Sequence, residues 1–434
     1  MNKNMTSQII DIIIFGATGY TGQCVVEQCA RINNFSWAIA GRNVNKLREV
    51  LTNIYTKTGK DVTQVEIIVA DVDDQKSINA MTKKGKVIIN CTGPYRFYGE
   101  SVVKACIEEG IHYVDVTGEP EFMEKMQLKY HDLAKTSGSY VVSACGMDSV
   151  PADIGVIHFM KNFNGQVNYV EAYMALTVNT NKIVEPFLNY TTWESAVHAL
   201  ANMNSLRSIR KQLFSKYDIV KLLPSIPRRS VIHRSELCEN KYCLPFQGSD
   251  RSVVLRTQMF LTKEWNLRPI QCNVYLVCRS AFTLCALLII GFFLQVLSKF
   301  EFGRKLLLKY SHIFSLGVVS RNGPTAESRQ NSLFTMKFYG EGWSKDMLKE
   351  KDDLKTISEP TDSYMVTAVE IPDAGYGFTS ICAVQCALII LNEFDKLPPG
   401  GGVYTPGAAF YRTSLIETLA ENGFQYKILH TGHK

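Results

Sequence analysis

The sequence predicts an α/β protein with an N-terminal, doubly wound parallel sheet and a second, mixed α/β domain that carries a hydrophobic helical insertion. Three observations predict this class. Short apolar segments alternate with amphipathic ones over residues 1–150, a glycine-rich turn follows the first apolar segment, and the strict alternation ends near Pro151. A chain of 434 residues is also long enough for two or three domains.

The first element is a short and nearly continuous apolar segment at 9–15, which is typical of a strand covered on both faces. Helices are predicted at 23–32, 43–52, 77–83, 100–109 and 121–136, and further strands at 36–40, 66–70, 87–90, 112–116 and 140–143. Strands that alternate with helices in this way indicate βαβ units and a single parallel sheet, as in a Rossmann domain.

The turn after the first strand has the spacing GxxGxxG, with glycines at Gly16, Gly19 and Gly22. A dinucleotide needs such a turn because its pyrophosphate approaches the backbone closely and faces the free N–H groups of the next helix. The residues predicted to bind the cofactor here are Gly16, Thr18, Gly19, Tyr20, Thr21 and Gly22. An ordinary tight βα turn is the alternative interpretation.

The end of the second predicted strand favours NADP(H) over NAD(H). NAD sites usually place a carboxylate there for the ribose 2′-hydroxyl, whereas this chain has Arg42, which can pair with a 2′-phosphate. Asp71 follows the third strand and is predicted either to contact the adenine or to cap a helix. Thr92 and Gly93 follow the fourth strand and are predicted to border the nicotinamide ribose.

Hydride transfer also needs a group that supplies or takes a proton, and strand ends near the cofactor are the places to look for it. Tyr95 is the first candidate and Asp148 the second, although Asp148 can equally cap the next helix. The remaining strand-end candidates are Asp115, Thr117, Glu119 and Cys145. None of the twelve cysteines forms a CxxC pair, so no metal site is predicted.

Residues 280–298 carry no charge and are bracketed by Arg279 and Lys299. As a helix rising about 1.5 Å per residue, this segment nearly crosses a bilayer core of about 30 Å. A full span would separate 299–434 from the rest of the fold. A helix or hairpin inserted into one leaflet, or into the monolayer of a lipid droplet, therefore fits better, and a buried interdomain or dimer helix is the alternative.

The net charge of +6 is concentrated in one stretch, 204–234, which has eight Lys or Arg residues and a single acid, Asp218. The rest of the chain is close to neutral, which argues against nucleic-acid binding. The stretch is interpreted either as a companion of the inserted helix at an anionic lipid surface or as a solvated loop. It also holds the one Tyr-x-x-x-Lys match to short-chain dehydrogenases, Tyr217 to Lys221, which comes too late in the chain for that role.

The second half of the chain is predicted to contain strands at 167–178, 252–261, 332–339 and 364–371, and a helix at 409–422. The domain boundaries follow from these elements. Residues 1–150 form the NAD(P)-binding domain, 151–370 form the second domain with the 280–298 insertion, and 371–434 pack back on the first domain.

Seven separated motifs resemble those of the saccharopine dehydrogenase-like oxidoreductases. They are IIIFGATGYTG with AGR at 12–42, NCTGPYRFYGE at 90–100, DVTGEPEFM at 115–123, ACGMDSVPADIG at 144–155, GPTAESR at 323–329, FYGEGW at 338–343 and GGVYTPGAAF at 401–410. Met147 departs from the family, which commonly has an aromatic residue before the Asp. The resemblance implies a Rossmann domain, a second α/β domain, a returning C-terminal segment and, for animal members, association with lipid droplets or membranes.

Together these observations predict an NADP(H)-dependent oxidoreductase. Enoyl-reducing bacterial relatives make a lipid-like small molecule the expected substrate, and the expected location is the cytoplasmic face of a lipid droplet or membrane. The N-terminus lacks the layout of a signal peptide, so the cysteines are expected to be reduced. The alternative is a non-catalytic lipid-surface scaffold or sensor that retains dinucleotide binding. A homodimer is left open.

Overall fold

The computed structural model describes residues 9–179, 186–215, 222–349 and 357–434. The strands are β1 (Ile10–Phe15), β2 (Trp37–Gly41), β3 (Glu66–Val69), β4 (Gly85–Asn90), β5 (His112–Asp115), β6 (Tyr140–Val142), β7 (Gly165–Val178), β8 (Leu188–Asn189), β9 (His233–Ser235), β10 (Lys241–Pro245), β11 (Gln271–Cys278), β12 (Val319–Ser320), β13 (Ser332–Ser344), β14 (Ser363–Pro372), β15 (Gly402–Tyr404) and β16 (Lys427–His433).

The helices are α1 (Tyr20–Arg31), α2 (Val44–Thr58), α3 (Gln75–Thr82), α4 (Tyr95–Glu108), α5 (Pro120–Ser137), α6 (Val150–Asn162), α7 (Tyr190–Ala201), α8 (Met203–Phe214), α9 (Asp250–Trp265), α10 (Ala281–Leu297), α11 (Glu301–Lys309), α12 (Ser311–Phe314), α13 (Ala326–Gln330), α14 (Lys345–Leu348), α15 (Thr379–Asn392), α16 (Pro406–Phe410) and α17 (Leu415–Glu421). A π-helical turn, Ala374–Phe378, leads directly into α15.

The first sheet has the strand order β15-β6-β5-β4-β1-β2-β3, and its strands all run parallel. Six of the strands follow the doubly wound order, and the predicted parallel sheet is confirmed. Ile12, Ile13 and Ile14 of the central strand β1 are fully buried, because helices cover both faces of the sheet. At one edge, β15 pairs with β6, so the C-terminal part of the chain contributes a strand to this sheet.

The second sheet has the order β16-β14-β13-β7-β11-β10-β9 and is mixed. Strand β7 pairs with β11 in parallel, whereas it pairs with β13 in antiparallel fashion. The predicted strands at 167–178, 332–339 and 364–371 are confirmed as β7, β13 and β14. The predicted second, mixed α/β part of the fold is therefore present.

The predicted strand at 252–261 is wrong, because these residues lie in helix α9. Val253, Val254, Phe260 and Leu261 are buried and recur at helical spacing. The polar residues between them are also buried and have partners inside the protein. Thr257, for example, donates a 2.8 Å hydrogen bond to Oδ2 of Asp153. In the sequence, buried polar residues of this kind cannot be told apart from the solvent-facing residues of a strand.

The predicted helix at 409–422 is also wrong in its extent, since the structure divides it into α16 and α17. The backbone N–H of Ser414 donates to Oε2 of Glu393 at 3.0 Å instead of continuing a helical ladder. A carboxylate from a neighbouring segment thus interrupts the helix.

The uncharged segment 280–298 forms helix α10, which has 17 residues and exposes several large apolar side chains. Within the described part of the chain, one helical stretch, Ala374–Asn392, has the length and hydropathy to cross a membrane. Its most apolar window is 67% buried inside the protein, as in a core helix.

Candidate active site

A cavity of about 1820 Å³ lies between the carboxyl edge of the first sheet, the second sheet and helices α7 and α10. Sites for one small molecule usually measure about 300–1,000 Å³. The cavity therefore has room for a dinucleotide and a second ligand together.

The glycine-rich turn forms one end of this cavity. Gly16 has φ of 81°, a conformation that strains other residues, and a Cβ atom there would lie 2.6 Å from Oγ1 of Thr92. Gly22 does not line the cavity, because it is buried against the carbonyl oxygen of Gly16 and leaves no space for a Cβ atom. The predicted cofactor residues that do line the cavity are Gly16, Thr18, Gly19, Tyr20, Thr21, Arg42, Asp71, Thr92 and Gly93.

Two observations show that the residues present fit a dinucleotide. The N-cap of α1 is Gly19, which makes no side-chain capping bond, so the first N–H groups of the helix face the cavity without a cap. The buried Oγ1 of Thr92 has no hydrogen-bond partner in the described structure, although it lies beside the turn. Oxygen atoms of a ligand would accept hydrogen bonds from these N–H groups and from the hydroxyl of Thr92.

Arg42 follows β2 at the surface of the same end of the cavity. Within the described residues it forms neither an ion pair nor a side-chain hydrogen bond, so its guanidinium is available to a ligand. The helix-capping alternative for Asp71 is wrong, because the N-cap of α3 is Asp74. Asp71 accepts a 3.2 Å hydrogen bond from the backbone N–H of Asp73 in the turn before that helix, and it lines the cavity, as Arg42 does.

Tyr95 lines the cavity with its ring, but its hydroxyl group is already engaged. The hydroxyl donates a 2.9 Å hydrogen bond to the backbone carbonyl of Asn90, and burial raises the pKa of the phenol well above its ordinary value. In this geometry the proton of Tyr95 points into the protein rather than toward a ligand.

Four other strand-end candidates have structural roles. Asp115 is buried, accepts from the backbone N–H groups of Thr117 and Ala144, and has its pKa raised to about 6 by burial. Glu119 accepts from the N–H of Tyr95 at 2.8 Å and from Nε of Arg96 at 2.7 Å. Thr117 accepts from the N–H of Glu119, and Cys145 is fully buried outside the cavity lining.

Asp148 differs from these residues because its half-buried carboxyl group lines the cavity and accepts no hydrogen bond from a described residue, whereas the carboxylate of Glu119, which also lines the cavity, is fully paired. It lies so close to Gly118 that a Cβ atom at that position would collide with Oδ2 of Asp148. Burial raises its pKa, and no hydrogen bond from a described residue offsets this effect. A carboxyl group in such a place holds its proton at higher pH than an ordinary Asp.

Asp250 is a neighbouring acid that the sequence analysis missed. It is 2% exposed, its Oδ1 has no described partner, and burial together with the charges of Asp148 and Asp153 raises its pKa well above the usual value. Ser249, its neighbour, donates a 2.7 Å hydrogen bond to the backbone carbonyl of Asp148 and so fixes that loop. The Ser-Asp pair before an apolar segment is an N-terminal helix signal, which the strand prediction at 252–261 obscured.

The far part of the cavity is apolar. Met174 and Leu176 of β7, Leu276 of β11 and Phe334 of β13 line this part together with apolar residues of α10. None of these residues was predicted to belong to the site. Met174, Leu176 and Val178 alternate along β7, and this spacing could have predicted that their side chains lie on the same face of the sheet.

The basic stretch is only partly available to a surface. Arg210 binds Glu124 through two nitrogens at 2.9–3.0 Å, and Arg229 binds Glu171 at 2.8 Å; both carboxylates are buried. These two arginines therefore anchor the stretch to the protein. Tyr217 and Lys221 lie outside the described residues.

The parallel sheet, the glycine turn and the adjoining cavity define a Rossmann-fold protein that binds a dinucleotide. Residues 12–142 match the family model of the saccharopine dehydrogenase NADP binding domain. The chain belongs to the saccharopine dehydrogenase-like oxidoreductases, and its cofactor preference is for NADP(H).

Two relatives illustrate this membership, and one solved structure shares the fold. The saccharopine dehydrogenase-like oxidoreductase of Rattus norvegicus is 38% identical, covering 96% of this chain and 97% of its own. The lipid droplet localized protein of Caenorhabditis elegans is 37% identical, covering 96% of this chain and 98% of its own. An apo structure of saccharopine dehydrogenase (L-Glu forming) from Saccharomyces cerevisiae has the same fold, with a TM-score of 0.54 and 12% identity over 97% of this chain and all of that one.

Proposed function

We propose that the protein is an NADPH-dependent reductase of an apolar, lipid-like substrate and that it works at a lipid surface. One observation carries the proposal: a single cavity joins the glycine turn, the carboxyl group of Asp148 and an apolar chamber. Cofactor, proton donor and substrate space thus meet in one place.

The cofactor would lie along the carboxyl edge of the first sheet. The uncapped start of α1 and the hydroxyl of Thr92 would bind phosphate and ribose oxygens, and Arg42 would pair with the 2′-phosphate. Gly16 keeps this approach open, since any side chain there would collide with Thr92.

Asp148 would be the proton donor. The chemistry that NADPH would supply when bound is a hydride for an electrophilic carbon of the substrate. The carboxyl group of Asp148 then gives its proton to the substrate atom that has gained negative charge, and it is reprotonated from water. The raised pKa keeps a larger share of this carboxyl protonated near neutral pH than for an ordinary Asp.

The lipid surface would be met by α10 and the helices that follow it. Phe282, Phe292, Phe300, Phe302 and Ile313 are between 61% and 77% exposed, which is unusual for so many large apolar residues in one region. The name of the Caenorhabditis elegans relative agrees with such a surface.

NADPH consumption by the purified full chain, supplied with lipids that carry an enoyl, keto or imine group, tests the proposal. Oxidation of NADPH with at least one class, and less with NADH, is the expected result. Tight NADPH binding with no turnover in any class would contradict the proposed reduction and would favour a lipid-surface scaffold that retains the cofactor.

The location is tested by imaging the full chain in cells fed with oleate. A ring around lipid droplets is the expected pattern. A purely mitochondrial pattern would contradict the proposed droplet surface.

A further inference from the structure

Helix α10 belongs at once to the cavity and to the outer surface of the protein. Four of its apolar residues line the cavity and are also exposed: Phe282 by 77%, Leu288 by 47%, Phe292 by 63% and Val296 by 39%. The cavity therefore opens where these side chains stand. Its mouth is apolar and coincides with the surface proposed to meet lipid.

The inner face of α10 is anchored, so that the helix is a fixed rim of this mouth. Ile290, Leu294 and Leu297 pack against a small buried cluster that includes Trp193 and Leu307. The indole N–H of Trp193 also donates a 3.0 Å hydrogen bond to the backbone carbonyl of Leu307.

The two ends of the cavity differ in chemistry. Thr92, Asp148 and Ser249 bring polar atoms to the part near the glycine turn, whereas most of the lining residues from β7, β11, β13 and α10 are aliphatic or aromatic. A ligand that fits both ends has a polar, reducible group at one end and a long hydrocarbon chain at the other.

The charged residues that accompany the exposed apolar side chains of α10 and α11 indicate what lies outside the mouth. The exposed cations are Arg279 and Lys299, which flank α10, and Lys305 and Lys309 of α11. Glu301 is the acid that pairs with Lys305. Exposed cations beside exposed apolar residues fit the headgroups and acyl region of an anionic phospholipid layer.

We propose that α10 frames a lateral portal through which the hydrocarbon chain of the substrate passes directly from a phospholipid layer into the cavity. The proposal rests on the proposed function and names its substrate class as a long-chain amphiphile with the reducible group near its polar end. Direct passage avoids exposing the chain to water, a penalty equivalent to about fourfold in equilibrium constant for each methylene group.

Gly291 offers a way to close the portal. It lines the mouth, and a Cβ atom placed there would meet nothing within 4 Å. Gly291→Phe would fill the opening without a backbone clash, and replacing a glycine inside a helix favours the helical state. Ile289→Phe is the matched control, because Ile289 is 51% exposed on the same helix and does not line the cavity.

The test uses cis-parinaric acid, whose fluorescence rises in apolar sites, presented in vesicles of phosphatidylcholine with phosphatidylserine to the NADPH-loaded full chain. Gly291→Phe is expected to weaken binding of the probe by about tenfold or more, which corresponds to losing two or more buried methylene contacts. Ile289→Phe is expected to bind the probe as the parent does. Both variants are expected to retain NADPH and vesicle binding.

A second measurement on the unaltered protein is independent of any variant. Octanoic, dodecanoic and hexadecanoic acids should displace the probe with affinities that rise steeply with chain length. Equal probe binding by parent and Gly291→Phe, or displacement that does not depend on chain length, would overturn the portal while NADPH and vesicle binding persist. If the unaltered protein bound neither NADPH nor vesicles, the proposed function would be overturned instead.

Discussion

The hydroxyl of Tyr20 donates a 2.6 Å hydrogen bond to the backbone carbonyl of Pro324, 304 residues further along the chain. Tyr20 begins the helix that follows the glycine turn, and Pro324 lies in the GPTAESR segment. Nearby, Arg329 binds both carboxylate oxygens of Asp373 and packs its guanidinium near the ring of Tyr376. The GPTAESR segment, which is remote in sequence, thus holds the start of α1 in place beside the glycine turn.

Removing that hydroxyl with Tyr20→Phe is expected to lower the free energy of unfolding by about 1 kcal/mol, the net value of one hydrogen bond. Chemical denaturation measures the change. Tyr55→Phe is the control, since Tyr55 is 53% exposed, and it should have almost no effect. Equal stability of both variants would mean that the bond to Pro324 contributes nothing.

Arg42→Ala is expected to raise the Kd for NADPH by about 10- to 100-fold, because a charge-assisted contact with the 2′-phosphate is lost. The Kd for NADH should stay nearly unchanged. Arg48→Ala, an exposed arginine outside the cavity lining, serves as the control in the same calorimetric titrations. A parallel loss of NADPH and NADH affinity would show that Arg42 does not recognise the phosphate.

Asp148→Asn is expected to slow reduction by about 10²- to 10⁴-fold while NADPH binding is retained, because Asn cannot donate the proton. The parent rate should fall as pH rises through the raised pKa of Asp148, since only the protonated acid is active. Tyr95→Phe should retain most of the rate, because its hydroxyl bonds the carbonyl of Asn90. A slow Tyr95→Phe beside a fast Asp148→Asn would reverse the assignment.

Burial raises the pKa of Asp153 from its ordinary value of 3.8 to about 6 in the folded protein. The folded state thus holds this proton more tightly than the unfolded state, so the stabilisation is complete below about pH 4 and is lost as pH rises through about 6. Two pKa units correspond to at most about 3 kcal/mol. Asp115 has a similarly raised pKa, so Asp153→Asn should reduce the pH dependence of the free energy of urea unfolding without abolishing it. An unchanged pH dependence would show that Asp153 does not hold this proton.

Phe302 is 75% exposed and lies outside the cavity lining, so it reports on the lipid surface alone. Phe302→Ser should weaken vesicle binding by about tenfold, as expected for one inserted aromatic side chain. Leu133→Ser, which changes a residue of α5 that is 55% exposed, is the control in the same flotation assay. Similar losses of vesicle binding in both variants would indicate nonspecific binding through exposed apolar residues rather than a defined lipid surface.

Local patterns predicted the first sheet because each βα unit carries its own signals. The apolar β1, the glycine turn and Asn43 at the start of α2 are all short-range features, and the side chain of Asn43 does accept from the N–H of Lys46. The same patterns failed at α9, where Thr257 and Arg256 are buried with partners from remote helices. Such contacts are invisible in a local window.

The candidate site likewise has a part that local sequence predicted and a part that it did not. Gly16 and Arg42 were predicted because a phosphate imposes its demands on a few consecutive residues. Asp148 was one candidate among several strand-end residues. Its place in the cavity lining, with no hydrogen bond to its carboxyl group from a described residue, separates it from the fully bonded Asp115. The apolar chamber arises from three strands and α10, which the fold alone brings together.

Transfer of deuterium from NADPH labelled at C4 to lipids extracted from droplets tests whether the protein reduces a long-chain lipid. The purified full chain is incubated with each of the two stereoisomers of the label, and the lipids are analysed by mass spectrometry. One of the two labels is expected to appear in a long-chain lipid with the parent protein, and much less of it with Asp148→Asn. No deuterium in any lipid from either label, in a protein that binds NADPH tightly, would contradict it.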